Sequence, residues 1–233
     1  LPKAMANGFR IVRVNPLPEI GTERFKNPQD LLHPTRLPRF FLGRGTPLSD
    51  LWLPVLINGD MAFLHGLMKE MLEAEERRPG EVFDHEFIRN HTEGYAELLA
   101  QLRASSWETI VHDSGLSREQ IRAAAQIAIK ARRVIVCWCM GVTQHKNAVV
   151  TIQQIMNFLL LGGHIGRPGA GPCPVRGHSN VQGDRTMGIW ERPRQDFLDR
   201  LAAEFGFAPP QEHGLDTVES IKAMNDGRAK VFF

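Results

Sequence analysis

Cysteine is scarce in this chain: 233 residues hold three, Cys137, Cys139 and Cys173. Their spacing builds neither a disulfide framework nor a zinc site, and an Fe–S cluster needs four ligands that they cannot supply. Cys137 and Cys139 lie in an apolar run, not at a helix start where a redox C-x-x-C would sit. All three read as small buried hydrophobes of a reducing, cytoplasmic compartment. Neither sign of charge dominates, with a formal net charge of +2, which excludes a polybasic nucleic-acid surface and an acidic tail. No apolar run reaches membrane-spanning length, because the one at residues 158–161 breaks at Gly162, Gly163 and His164; no membrane insertion is expected. The P-loop G-K-[ST] and the G-x-G-x-x-G fingerprint are both missing. No Ser/His/Asp or Cys/His arrangement has support. His33, His65, His85, His91, His112 and His213 lack metal-ligand spacing, so no metal is expected on this chain's own side chains.

What is present is enough to fold. A hydrophobic content of 42% supports a sizeable core. The first residues, Leu1 and Pro2, follow no initiator Met, and the last, Val231 to Phe233, read as a strand cut short; an internal fragment is expected. Residues 9–14 alternate as a strand that Asn15-Pro16 stops, and an irregular stretch follows. Residues 52–57 form a second strand, and Asp60 after Asn58-Gly59 is placed to cap a helix whose apolar face holds Leu64, Leu67, Met68 and Met71. Residues 73–81 read as a charged surface turn. Helices are expected over 84–90, 95–103, 147–161, 194–205 and 215–225, and from Ser117, where Gln120 completes a capping box.

Two places could carry chemistry. Residues 134–139 read as a strand buried on both faces of a parallel sheet, and the tight turn after it, Gly141 to His145, lies where α/β sheets bind ligands. Gly141 lets backbone approach a ligand, the next helix offers free N–H groups to an anion, and Gln144 and His145 add donors. The second place is residues 162–188, a Gly/Pro-rich loop with eight glycines and three prolines. Arg176 offers a planar fork for oxyanions, and the amides of Asn180 and Gln182 can pair with heterocycle edges.

These runs resemble a known family. Met140 to His145, the run Asn157 to Gly171 (N-x-x-x-L-x-G-x-I-G-R-P-G-A-G) and Pro174 to Gly183 (P-x-R-G-x-x-N-V-Q-G) are similar to molybdopterin oxidoreductases of the dimethyl-sulfoxide-reductase superfamily. Within it the match is to formate-dehydrogenase-like alpha subunits. The resemblance implies an α/β, Rossmann-like layered fold with a mostly parallel sheet, part of a multidomain enzyme. A cofactor domain would span residues 1–175, with the glycine-rich loop and a neighbouring α/β domain over 176–233. It implies two molybdopterin guanine dinucleotides holding Mo or W, with Fe–S clusters in the parent but not on this chain. Met140, Gly141, Gln144, His145, Gly177, His178, Asn180, Val181, Gln182 and Gly183 would line the pterin and phosphates, and Asn15, Asn58 and Asp60 a guanosine end. Arg176 matches the arginine beside the metal, where its charge orients an anionic substrate. His178 stands where formate dehydrogenases commonly carry Gln, which leaves the small-molecule substrate open. An electron-transfer subunit is the expected partner. The competing expectations are a catalytically inactive binding or assembly homologue and an α/β nucleotide-binding domain.

Overall fold

Asp60 begins the element around which the rest packs. In the computed structural model, which describes residues 4–5, 7–28, 41–43, 45–175, 177, 180–188, 192–212 and 214–231, helix α2 spans Asp60–Arg77. Apolar residues are close to continuous around it, and Phe63, Leu64, Leu67, Met68, Met71 and Leu72 are all buried. A helix apolar on most of its circumference needs partners on several sides. They are α4 (Tyr95–Ala104), α5 (Trp107–Ser114), α6 (Arg118–Lys130) and α8 (Ala148–Leu161). Gly66 permits the close approach of α5, since a Cβ there would lie 2.7 Å from Ile110 Cγ2.

The polar residues of α2 are tied to its neighbours rather than left in water. Glu70 pairs with Arg118 and Arg122, Glu73 accepts from Arg118 and from Trp107 Nε1 at 2.9 Å, and the Arg118 guanidinium lies over the Trp107 ring. Lys69 Nζ donates to the carbonyl of Leu102 at 2.8 Å, so its buried charge meets a helix end that lacks donors.

The expected surface turn over residues 73–81 is corrected at Glu75, which is only 6% exposed. Its carboxylate accepts the backbone N–H groups of Gly80, Val82 and Phe83 and hydrogen-bonds His85 Nε2 at 2.7 Å. It folds the turn back and delivers the chain to α3 (His85–His91), which Asp84 caps through the N–H of Phe87. The capping box of Ser117 and Gln120 forms as expected.

The strands are shorter than the periodicity suggests. β1 (Val12–Val14) pairs in parallel with β4 (Leu51–Leu53), and β5 (Ile135–Trp138) pairs in parallel with β6 (Gly171–Pro174). Around the irregular stretch, α1 (Ile20–Glu23) leads into β2 (Arg24–Phe25), which pairs antiparallel with β3 (Thr46–Pro47). β5 is not buried on both faces, since Ile135 and Cys137 are exposed; its only hydrogen-bonded neighbour among the described residues is β6. Cys139 and Cys173 are exposed as well, so none of the three cysteines is a buried hydrophobe. Parallel pairing and mixed α/β order are the architecture the sequence led us to expect.

The chain divides into two compact units, residues 1–175 and 176–233. The second holds α9 (Val181–Thr186), α10 (Gln195–Phe205) and α11 (Thr217–Asn225), with Ala223 buried. Of the strand expected at the end of the chain, residues 232 and 233 lie outside the described residues; residues 229–231 are not a strand, and no described strand pairs with them. Among the described residues no helix is long and apolar enough to cross a membrane.

Candidate functional site

β5 ends at Trp138, Cys139 continues extended, and the chain turns at once into the single helical turn α7 (Met140–Thr143). The expected tight turn is therefore a short helix. Met140 and Gln144 are exposed on it, and a Cβ at Gly141 would meet no atom within 4 Å. Gly141 is thus not required by the packing of this unit. It faces open space.

That space is a cleft of about 1140 Å³ in the first unit. Apolar side chains of β1 and β5 form its walls, with Phe63 and Phe158 among those beneath. It brings together Asn15, Asp60, Gly141 and His145, four residues drawn from three separate stretches of sequence. Asn58 and Gly59 hold Asp60 there. Asn58 adopts φ +67°, and a Cβ on Gly59 would lie 2.7 Å from the Asp113 carbonyl oxygen, so this turn is fitted against backbone.

Asp60 does not cap α2. Gly59 is the N-cap, without a side-chain hydrogen bond, and Asp60 is the first helical residue. Its carboxylate lies 3.7 Å from His145 Nδ1, beyond hydrogen-bond length. That nitrogen is buried and has no hydrogen-bond partner among the described residues. Burial raises the Asp60 pKa above the ordinary carboxylate value, opposed by its own backbone N–H and by the charge of His145. Two polar groups are therefore desolvated and only partly satisfied inside the cleft, a cost that a polar ligand would relieve. Asn15 is better served: its Nδ2 donates to the Leu17 carbonyl at 2.9 Å, while its own carbonyl accepts from Trp52 Nε1.

The second set of expected residues falls in the other unit. Arg176 and His178, with Ser179, lie outside the described residues, as do His33 and His213. Gly177 is exposed, Asn180 precedes α9 as its N-cap, and Val181, Gln182 and Gly183 are its first three residues. The run read as loop over 162–188 is thus interrupted by a strand, β6, and a helix, α9.

No family model matches the chain. Curated relatives do. An uncharacterized oxidoreductase of Mycobacterium tuberculosis is 47% identical over 232 residues, covering 100% of this chain and 29% of the relative. Protein YdeP of Escherichia coli is 42% identical over 96% of this chain and 29% of its own length. The F420-dependent formate dehydrogenase 1 subunit alpha of Methanococcus maripaludis is 34% identical over 60% of this chain and 20% of its own. In structure, acetylene hydratase from Pelobacter acetylenicus superposes with a TM-score of 0.51 at 18% identity, over 72% of this chain and 19% of that one. The chain is a homologue of proteins named as oxidoreductases, among them a formate dehydrogenase alpha subunit, and it shares the fold of acetylene hydratase. It spans less than a third of the length of the relatives it matches, in accord with the expected fragment.

In this oxidoreductase homologue, sequence reading missed the cationic side of the cleft. Lys130, Arg132 and Arg133, at and just beyond the end of α6, line it together with Arg10. Spacing from the strand end would not reveal them, because they precede β5 rather than follow it. Also missed was a second cluster: His164 is buried, its Nδ1 without a partner among the described residues, next to Asp84, which forms an ion pair with the exposed Arg167. Burial lowers the His164 pKa, the Arg167 charge adds to this, and Asp84 opposes it.

The strained ionisation of Asp60 has a measurable consequence. A carboxyl whose folded pKa is raised stabilises the fold below its unfolded pKa, and that contribution is lost as pH rises through the folded value. The ligand-free Asp60→Asn protein should therefore be more stable than wild type at neutral pH, with the gain vanishing in acid. Thermal melts across pH would show it. A gain that persists unchanged in acid would contradict the assignment.

Proposed function

We propose that the cleft of the first unit is one wall of the site for a molybdopterin guanine dinucleotide cofactor, two per enzyme and carrying Mo or W. The full-length protein would be a two-electron oxidoreductase. The observation that carries this reading is the partly satisfied Asp60–His145 pair beside the open Gly141 position. Polar atoms left unpaired next to unfilled space at the end of a parallel strand are what a polar heterocyclic ligand would complete. The kinship with a formate dehydrogenase alpha subunit and the fold shared with acetylene hydratase support the cofactor class.

Bound, the group would supply the redox chemistry at its metal. The chain's residues would do the holding. Gly141 would let the α7 backbone approach the ring system, with Met140 and Gln144 beside it. His145 and Asp60 would pair with a heterocycle edge, and Asn15 and Asn58 would flank it. Lys130, Arg132 and Arg133 would neutralise phosphate. In the second unit, Gly177, Asn180, Val181, Gln182 and Gly183 would contact the cofactor, with His178 near Arg176. A small-molecule substrate and an electron-transfer subunit complete the proposal.

Gly141→Val separates ligand binding from folding. The added Cβ meets no atom of the described residues within 4 Å beyond its own helical turn, so the melting temperature of the ligand-free protein should stay within about 2 °C of wild type. The full-length variant should lose most of its pterin. Unchanged pterin content at normal stability would remove Gly141, and with it this wall, from the site.

A further inference from the structure

β5 lines the candidate site, with Cys137 among the lining residues, and its pairing with β6 sets a second cysteine beside it. In the β5–β6 register Cys137 stands directly opposite Cys173. Neighbouring parallel strands lie about 4.8 Å apart, within the Cα separation of about 4.4–6.8 Å that a disulfide spans. Register partners project to the same face of a sheet, which sets the two thiols side by side. Both residues are exposed, so an oxidant reaches them in this unit.

Gly171 N donates to Val134 O at 2.9 Å and Val175 N to Trp138 O at 2.7 Å, bonds that bracket the Cys137–Cys173 pair. Pro172 and Pro174, which have no N–H, fall at the alternate positions that do not donate to β5. A covalent rung at Cys173 would add to this pairing.

We propose that Cys137 and Cys173 are an oxidisable dithiol, converted by a hydroperoxide into a disulfide that joins β5 to β6. The thiolate of Cys173 attacks one peroxide oxygen, the O–O bond breaks, and water leaves after protonation, giving a sulfenic acid. The Cys137 sulfur then attacks Cys173 Sγ; the S–O bond breaks, the S–S bond forms, and a second water departs. The two thiols lose two electrons and two protons, and hydrogen peroxide becomes two molecules of water. Burial, the hydrogen bond to Cys173 and the charge of Cys173 raise the Cys137 thiol pKa. Because Cys137 lies one residue before the end of β5, the bond would fix the strand from which α7 springs.

The test uses the full-length protein, reduced and then treated with hydrogen peroxide, with remaining thiols blocked by iodoacetamide. Chymotryptic cleavage at Trp138 separates Cys137 from Cys139, and mass spectrometry without reductant reads the links. The expected product is a Cys137–Cys173 peptide pair, two hydrogens lighter than its parts and released by dithiothreitol. It should form equally in Cys139→Ser and be absent from Cys173→Ser. Recovery of both cysteines alkylated after peroxide would overturn the proposal. So would a Cys137–Cys139 link, or overoxidation of Cys173 without any link. The wild-type measurement stands whether or not Cys173→Ser folds, and none of these outcomes depends on the cofactor reading.

Discussion

Glu75→Ala should cost the protein about 3–5 kcal/mol, the range for removing one member of a buried, charge-assisted network. The carboxylate is buried and accepts three backbone N–H groups as well as the His85 imidazole. Without it those donors lose their partner inside the fold, and the turn that feeds α3 loses its anchor. Burial alone would raise the Glu75 pKa; the His85 hydrogen bond and those from Gly80, Val82 and Phe83 outweigh it and hold the value at about 2. The sign of the pH dependence follows. A depressed folded pKa gives stability that is present above the unfolded value, near 4.5, and is lost as pH falls towards about 2. The contribution should be about 3 kcal/mol. Denaturant unfolding across that window would show a wild-type decline that Glu75→Ala lacks. Parallel curves would mean that Glu75 stays protonated or solvated.

The largest functional effect is expected at Arg176. By the resemblance, its guanidinium would lie beside the metal and orient an anionic substrate, a preorganised charge of the kind whose removal costs roughly 10²–10³-fold in rate. Arg176→Ala in the full-length protein should lose turnover by that order while keeping its pterin. Arg176→Lys should recover little, because an ammonium cannot reproduce the planar fork. A dye-linked assay on the substrate the wild type turns over, alongside pterin fluorescence, separates the two effects. Normal turnover in Arg176→Ala would end the metal-side role. Loss of pterin with the rate would recast Arg176 as a binding residue.

Local signals were legible in this sequence, and tertiary ones were not. Ser117 and Gln120 announce their helix because a capping box is closed within four residues. Gly141 and His145 could be picked out because a strand end and a helix start are readable from periodicity. β6 could not be read, since Pro172 and Pro174 argue against a strand until β5 is beside them. Glu75 looked like surface charge because its partners come from a turn that it folds itself. α5 went unseen although Ser106 caps it, its Trp107 and Ile110 being too sparse to show a period. Asp60 and His145 are 85 positions apart in number, and only the packing of α2 against α8 and β5 sets them in one cleft. Val134 to Cys139 read as doubly buried because apolar strands usually are; here the exposed face adjoins the cleft.

The central claim is that this chain forms part of a pterin cofactor site, and the most direct measurement is the composition of the purified full-length protein. Produced in a host that makes the cofactor, it should carry molybdenum or tungsten by elemental analysis and release a fluorescent pterin and a guanine nucleotide on acid treatment. A folded preparation from the same host with neither metal nor pterin would contradict the account.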